Sequence, residues 1–170
     1  MIARMRARPL LLLCIVLAVF GCRPRPDTAV VSVFFTRSDG NAITLVEVRR
    51  TVPRGATEAM LAAALNELLN GLTAEERARG LSSSIPPKTR LRAVQVRNGV
   101  VRADFTREVE AGGGSASMLG RFWQVVYTAT QFKEAPKVQI LIEGQEREAM
   151  GGEGVIIGQP VSRPPTQPRF

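Results

Sequence analysis

Residues 91–106 constrain this chain more than any other stretch. Val94 and Val96 alternate with Gln95 and Arg97, Asn98-Gly99 follows, and Val101, Ala103 and Phe105 then alternate with Arg102 and Asp104. A period of two on both sides of Asn-Gly predicts a hairpin with a type I′ turn, whose two central residues need positive φ. A two-residue loop sets Arg97 opposite Val100 and Val96 opposite Val101, so both apolar rows share one face. That face must be covered by something. Arg92 has the parity of Val94 and is expected at the strand's start, beyond the core.

Two amphipathic helices are available as cover. Met60, Leu61, Ala64, Leu65, Leu68 and Leu69 recur at helical spacing behind Thr57, a good N-cap, and Asn70-Gly71 stops the run. Leu119, Phe122, Trp123, Val126, Tyr127 and Thr130 form the second stripe, behind Gly112-Gly113-Gly114 and a candidate N-cap at Ser115. Thr73 and Glu76 have capping-box spacing and predict a short helix closed at Gly80. Strands are expected at 29–36 and 43–52, joined by Ser38-Asp39-Gly40-Asn41, then at 137–142 before Glu143-Gly144, and at 155–157. The fold class is α/β: a single compact domain, 29–158, with a mixed sheet covered by two main helices in the order β-β-α-β-β-α-β-β. Residues 159–170 hold four Pro and are expected to be a flexible tail.

The N-terminus reads as an address. Arg4, Arg6 and Arg8 precede an unbroken apolar run at 10–20, too short for the ~20 residues of a bilayer span and suited to a signal sequence. Val19-Phe20-Gly21-Cys22 resembles a bacterial lipobox, in which the Cys is acylated and becomes the first mature residue. The expectation is a signal peptide at 1–21, a lipidated Cys22 with a Pro-rich tether at 22–28, and an extracytoplasmic, lipid-anchored protein. Removing 1–21 takes away three Arg and no acid, so the formal charge falls from +8 to +5. That sign suits anionic lipid head groups or wall polymers. No helix-turn-helix, zinc-finger or RNP signature accompanies it, so no nucleic acid is expected.

The chain has no His, and its two Cys, Cys14 and Cys22, both lie in the first 22 residues. His-based triads, His metal sites and Cys-ligated metals are therefore excluded from the body, and no cofactor or metal is expected. Gly112-Gly113-Gly114 before a helix is a candidate anion cradle, and equally a turn needing positive φ. Ser82-Ser83-Ser84 lacks an activating base and reads as a loop. Glu75-Glu76 reads as first-turn charge on a helix. Trp123 and Tyr127, four apart on one helix, are either core or a sugar-stacking pair. Arg37, Arg49 and Arg50 are candidate partner contacts.

Several segments together resemble the GerMN domain of the sporulation and spore germination family. They are residues 65–76 (LNELLNGLTAEE), Gly80-Leu81-Ser82, Ile85-Pro86, Asn98-Gly99-Val100-Val101, Asp104-Phe105, Gly114-Ser115, 124–132 (QVVYTATQF), 138–144 and 151–155. The resemblance implies an α/β envelope domain, often a lipoprotein, sharing a fold with ring-building motifs. It implies no catalytic residues. Some members act in sporulation or germination, and others sit beside wall amidases. The expected function is a lipid-anchored, non-enzymatic module docking an envelope protein, with a sheet edge able to add strands to it. One alternative is binding of peptidoglycan or an anionic glycan. Another is a wall hydrolase, which would need two carboxylates converging from distant segments, such as Asp104 and Glu143.

Overall fold

In the computed structural model, residues 27–151 and 154–170 are described. Cys22, the signal sequence and most of the tether lie outside the described residues.

The Val- and Phe-rich start forms β1 (Thr28–Ser38), which pairs antiparallel with β2 (Ile43–Pro53) along its whole length. Asp39 shapes their turn, its Oδ1 accepting from the N–H groups of Asn41 (3.1 Å) and Ala42 (2.8 Å). This hairpin is a two-stranded sheet of its own. The main sheet has five strands: β3 (Leu91–Arg97), β4 (Val100–Phe105), β5 (Lys137–Ile142), β6 (Gln145–Glu146) and β9 (Val161–Ser162). β7 (Ala149–Met150) and β8 (Val155–Ile156) make a third, small pair.

The β3–β4 register is the expected one, Arg97 with Val100 and Val96 with Val101, and Asn98 (φ 50°) and Gly99 (φ 76°) supply the turn. Leu91 faces Phe105 while Ala93 faces Asp104, so Arg92 is the extra residue of a β-bulge. The bulge explains why the parity of Arg92 does not fit the alternation. β4 and β5 run parallel and β5 pairs antiparallel with β6 and β9, which makes the sheet mixed.

The helices are α1 (Thr57–Asn70), α2 (Ala74–Ala78) and α3 (Ser115–Ala129), with a 3-10 turn at Arg107–Glu110. Thr57 and Ser115 are already the first helical residues. The extended cap positions fall one earlier, on Ala56 and Gly114, and no side chain caps either end. The capping box of α2 is present, with Thr73 accepting from the Glu76 N–H (3.2 Å) and Glu76 from the Thr73 N–H (2.9 Å).

α1 touches β1, β2, β3 and α3, while α3 touches β1, β2, β5 and β8. One core results, from Val33 and Phe35 of the hairpin through Leu61 and Leu65 of α1 to Val101, Ala103 and Phe105 of the sheet. α3 is buried around most of its circumference from Met118 onward, not along one stripe. Its polar positions have a task there. Thr128 Oγ1 accepts from the Phe34 N–H (3.2 Å) and Gln124 Nε2 donates to the Phe34 carbonyl (3.1 Å). Gln131 engages both the N–H (2.8 Å) and the C=O (3.0 Å) of Ser32. Side chains at i, i+4 and i+7 thus satisfy the free edge of β1 where a third strand would otherwise lie.

The edge of the main sheet at β3 is also engaged. Its Val96 N–H donates to Glu58 Oε2 (2.8 Å), from the first turn of α1.

Residues 159–170 are not a free tail. β9 pairs with β5, and the Arg163 guanidinium lies over the rings of Phe34 (5.1 Å) and Tyr127 (5.0 Å), donating to Thr130 Oγ1 and the Tyr127 carbonyl. Gln167 donates to the Leu45 carbonyl (2.9 Å), and Phe170 and Ile43 exchange backbone bonds (2.6 and 3.2 Å). The prolines that suggested flexibility act the other way: a chain with restricted φ loses less entropy when strapped down.

Candidate functional site

The three arginines picked as partner contacts are not brought together. Arg49 and Arg50 are neighbours on β2 and point to opposite faces. Arg50 is held in the fold. Its guanidinium grips Glu76 through two bonds (2.6 and 2.7 Å), lies 3.4 Å from Glu67 and sits 5.8 Å from the Phe35 ring centroid. The Arg50 hydrogen bonds hold the Glu76 carboxyl at about 2. Arg37 and Arg49 are exposed, but Arg37 pairs with Thr44 and Arg49 with Ser32, which places them on opposite faces of the hairpin.

Asp104 and Glu143 do converge, on the bulge residue. Arg92 Nη1 lies 2.9 Å from Glu143 Oε2, and its Nε lies 3.6 Å from Asp104. Asp104 also accepts from the Gly144 N–H (2.7 Å), and Glu143 from the Arg107 N–H (2.8 Å). Both carboxylates are engaged by donors of their own chain, with Arg92 shared between them.

The triple glycine is built around a cation. Arg121, 2% exposed, donates to the carbonyls of Ala111 (3.3 Å), Gly112 (3.1 Å), Ser84 (3.2 Å) and Val109. The loop presents its C=O groups to Arg121, so its geometry serves that side chain. Ser82 exchanges backbone bonds with Thr36 (2.8 Å each), and the Ser84 N–H goes to Gln124 (2.8 Å), so these serines are structural. Tyr127 packs edge-on against Phe34 (5.2 Å) and Trp123 (6.2 Å), within the core.

Two larger cavities among the described residues bear on function. One, of about 460 Å³, lies between the end of α1 and residues 81–87 and is lined by Leu68, Leu72, Leu81 and Ile85 among others. The other, of about 510 Å³, lies on the face of the main sheet opposite the core. Cross-strand partners share a face, so the register writes this surface out in rows. Arg97, Val100 and Lys137 form one row and Gln95, Arg102 and Gln139 the next. Gly158, Gln159 and Pro160 wall the cavity. Arg102 is tied to Glu146 (2.6 Å) and Gln139 to the Ile157 carbonyl (2.6 Å). Arg97 and Lys137 are exposed and have no ion-pair partner among the described residues. No candidate from the sequence fell here. The signal was present nonetheless, since Gln95, Arg97 and Arg102 are the polar half of the alternation that predicts the hairpin.

The family model described as sporulation and spore germination matches residues 32–148. Among solved structures, the first GerMN domain of the Bacillus subtilis sporulation protein GerM aligns at 25% identity and a TM-score of 0.61, over 79% of this chain and 98% of that one. The tandem GerMN domains of the same protein align at 20% identity and 0.65, over 86% of this chain and 50% of theirs, so this chain spans half the tandem's length. A candidate lipoprotein from Clostridium perfringens aligns at 17% and 0.58, over 80% of this chain and 88% of that one. The last two share the fold. No curated protein matches the chain.

Proposed function

The chain belongs to the sporulation and spore germination (GerMN) family, and from that premise we propose that it is a lipid-anchored, non-catalytic binding domain of the bacterial cell envelope. One observation carries the non-catalytic reading. The carboxylates that converge, Asp104 and Glu143, are both committed to Arg92, while exposed Arg97 and Lys137 stand without partners beside an open cavity. Such a surface holds a ligand rather than cleaving one.

The anchor rests on the short apolar run ending in Gly21-Cys22. It agrees with the name of the Clostridium perfringens neighbour. No helix of the described residues is long and apolar enough to cross a membrane. Acylated Cys22 would hold the domain at the bilayer, with residues 23–26 between the acyl chains and the first described residue, Asp27.

The test is metabolic labelling with an alkyne fatty acid, followed by membrane fractionation and in-cell crosslinking. The expected result is label and membrane association in the wild type, both lost with Cys22→Ser, together with crosslinks to an envelope component. An unlabelled wild type, or a Cys22→Ser protein still in the membrane fraction, refutes the anchor.

A further inference from the structure

We propose that the outer face of the main sheet, between Arg97 and Lys137, is a binding site for an acidic saccharide, a sugar chain carrying carboxylate or phosphate groups. The proposal rests on the binding-domain reading above and gives it a site and a ligand class.

The geometry begins with the register. Arg97, Val100 and Lys137 occupy one row across three adjacent strands. Strands lie ~4.8 Å apart, so the two cations stand about 10 Å apart at the backbone. Both are exposed and neither has a partner among the described residues. The one acid lining the cavity, Glu146, is already held by Arg102 at 2.6 Å. Arg97 therefore brings an uncompensated positive charge to the cavity wall, and Lys137, in the same row outside the lining, adds a second, while no lining acid is left uncompensated. Such a site attracts an anion.

The rest of the lining says what kind of anion. The carboxamides of Gln95, Asn98 and Gln159 border the same cavity and have no hydrogen-bond partner among the described residues. Each offers both a donor and an acceptor, the complement of sugar hydroxyl and acetamido groups. Apolar lining is confined to Val100, Gly158 and Pro160, too little for an acyl chain or an apolar peptide. No aromatic side chain lines the cavity, which removes the stacking platform that single-stranded nucleic acids use. Its volume of about 510 Å³ falls within the range of small-ligand sites. The supporting frame is rigid, since Gln139 is 3% exposed and bonded to the 157 carbonyl.

The test titrates the purified full chain with four probes at low and moderate salt. Glycan strands from sacculi carry stem-peptide carboxylates, and phosphomannan carries phosphates on a sugar chain. Chitohexaose is neutral, and phosphatidylglycerol vesicles are anionic without sugar chains. The proposal expects binding of at least one acidic polymer, weakened by salt, and the better binder identifies the oxyanion. Arg97→Gln with Lys137→Gln should weaken that binding by about tenfold or more, while Arg37→Gln with Arg49→Gln leaves it unchanged. All four side chains are exposed, and unchanged thermal midpoints verify that both variants fold. Equal binding of chitohexaose, binding of vesicles alone, no binding of either polymer at low salt, or an Arg97/Lys137 variant that binds like wild type overturns the proposal. The titration does not use the anchor, so its failure is distinct from a failure of Cys22 labelling.

Discussion

Arg49 and Arg50 show how much a single residue's role depends on what lies far from it in sequence. Both are arginines on a strand, and both invite the same reading. Arg50 alone meets Glu76, 26 residues away, and Glu67. The Thr73–Glu76 capping box was legible because its partners are three residues apart; the ion pair built onto the same carboxylate was not. The consequence is measurable. Glu76 binds its proton less readily in the folded chain, at about 2 against an ordinary 4.5. It therefore favours the folded state above pH 4.5, and that contribution disappears as pH falls toward 2. Its size is roughly 3 kcal/mol for a buried pair of this kind. Denaturant titrations from pH 7 down to pH 2 should show this loss, and Glu76→Gln should be less stable at pH 7 and flatter across the acid range. Arg121 is a second case. A buried Arg on an apolar helix looks like an error in the pattern until the carbonyls around the glycine loop are counted as its partners.

Elements were legible wherever their signal was local. β5 occupies 137–142 as expected, and the β3–β4 register follows from a two-residue turn. The starts of α1 and α3 shifted by one residue, because a good capping residue does not decide where the backbone turns extended. What the pattern could not show was that β1 and β2 stand apart from the main sheet. The missing clue lies on and just past α3, where Gln124 and Thr128 interrupt an apolar helix and Gln131 follows its C-terminal cap. They bond the exposed edge of β1 as a strand would. Gln131→Ala should cost about 1–3 kcal/mol, since it strands a partly buried N–H and C=O of Ser32. Hydrogen exchange at the Ser32 amide should accelerate in that variant, while amides of β4 exchange at rates set by the global change alone.

For the whole molecule, the fold class followed from the sequence, and the packing of its C-terminal residues did not. Composition marked 159–170 as loose, but those residues cross from β5 past Tyr127 to Leu45 and Ile43. Contacts of that range have no local signature. Deleting 161–170 should lower the urea midpoint and alter the near-ultraviolet signal of Tyr127 and Trp123, and Arg163→Ala should reproduce part of both effects. Arg163 reaches both Phe34 of the hairpin and Tyr127 of α3. The contact between Glu58 and Val96 has a consequence wherever many copies of this chain are crowded together. Crowding multiplies collisions between sheet edges, and an open amide row is a template for polymerisation. The first turn of α1 stoppers that row at Val96, which withdraws one amide of the β3 edge from such a template.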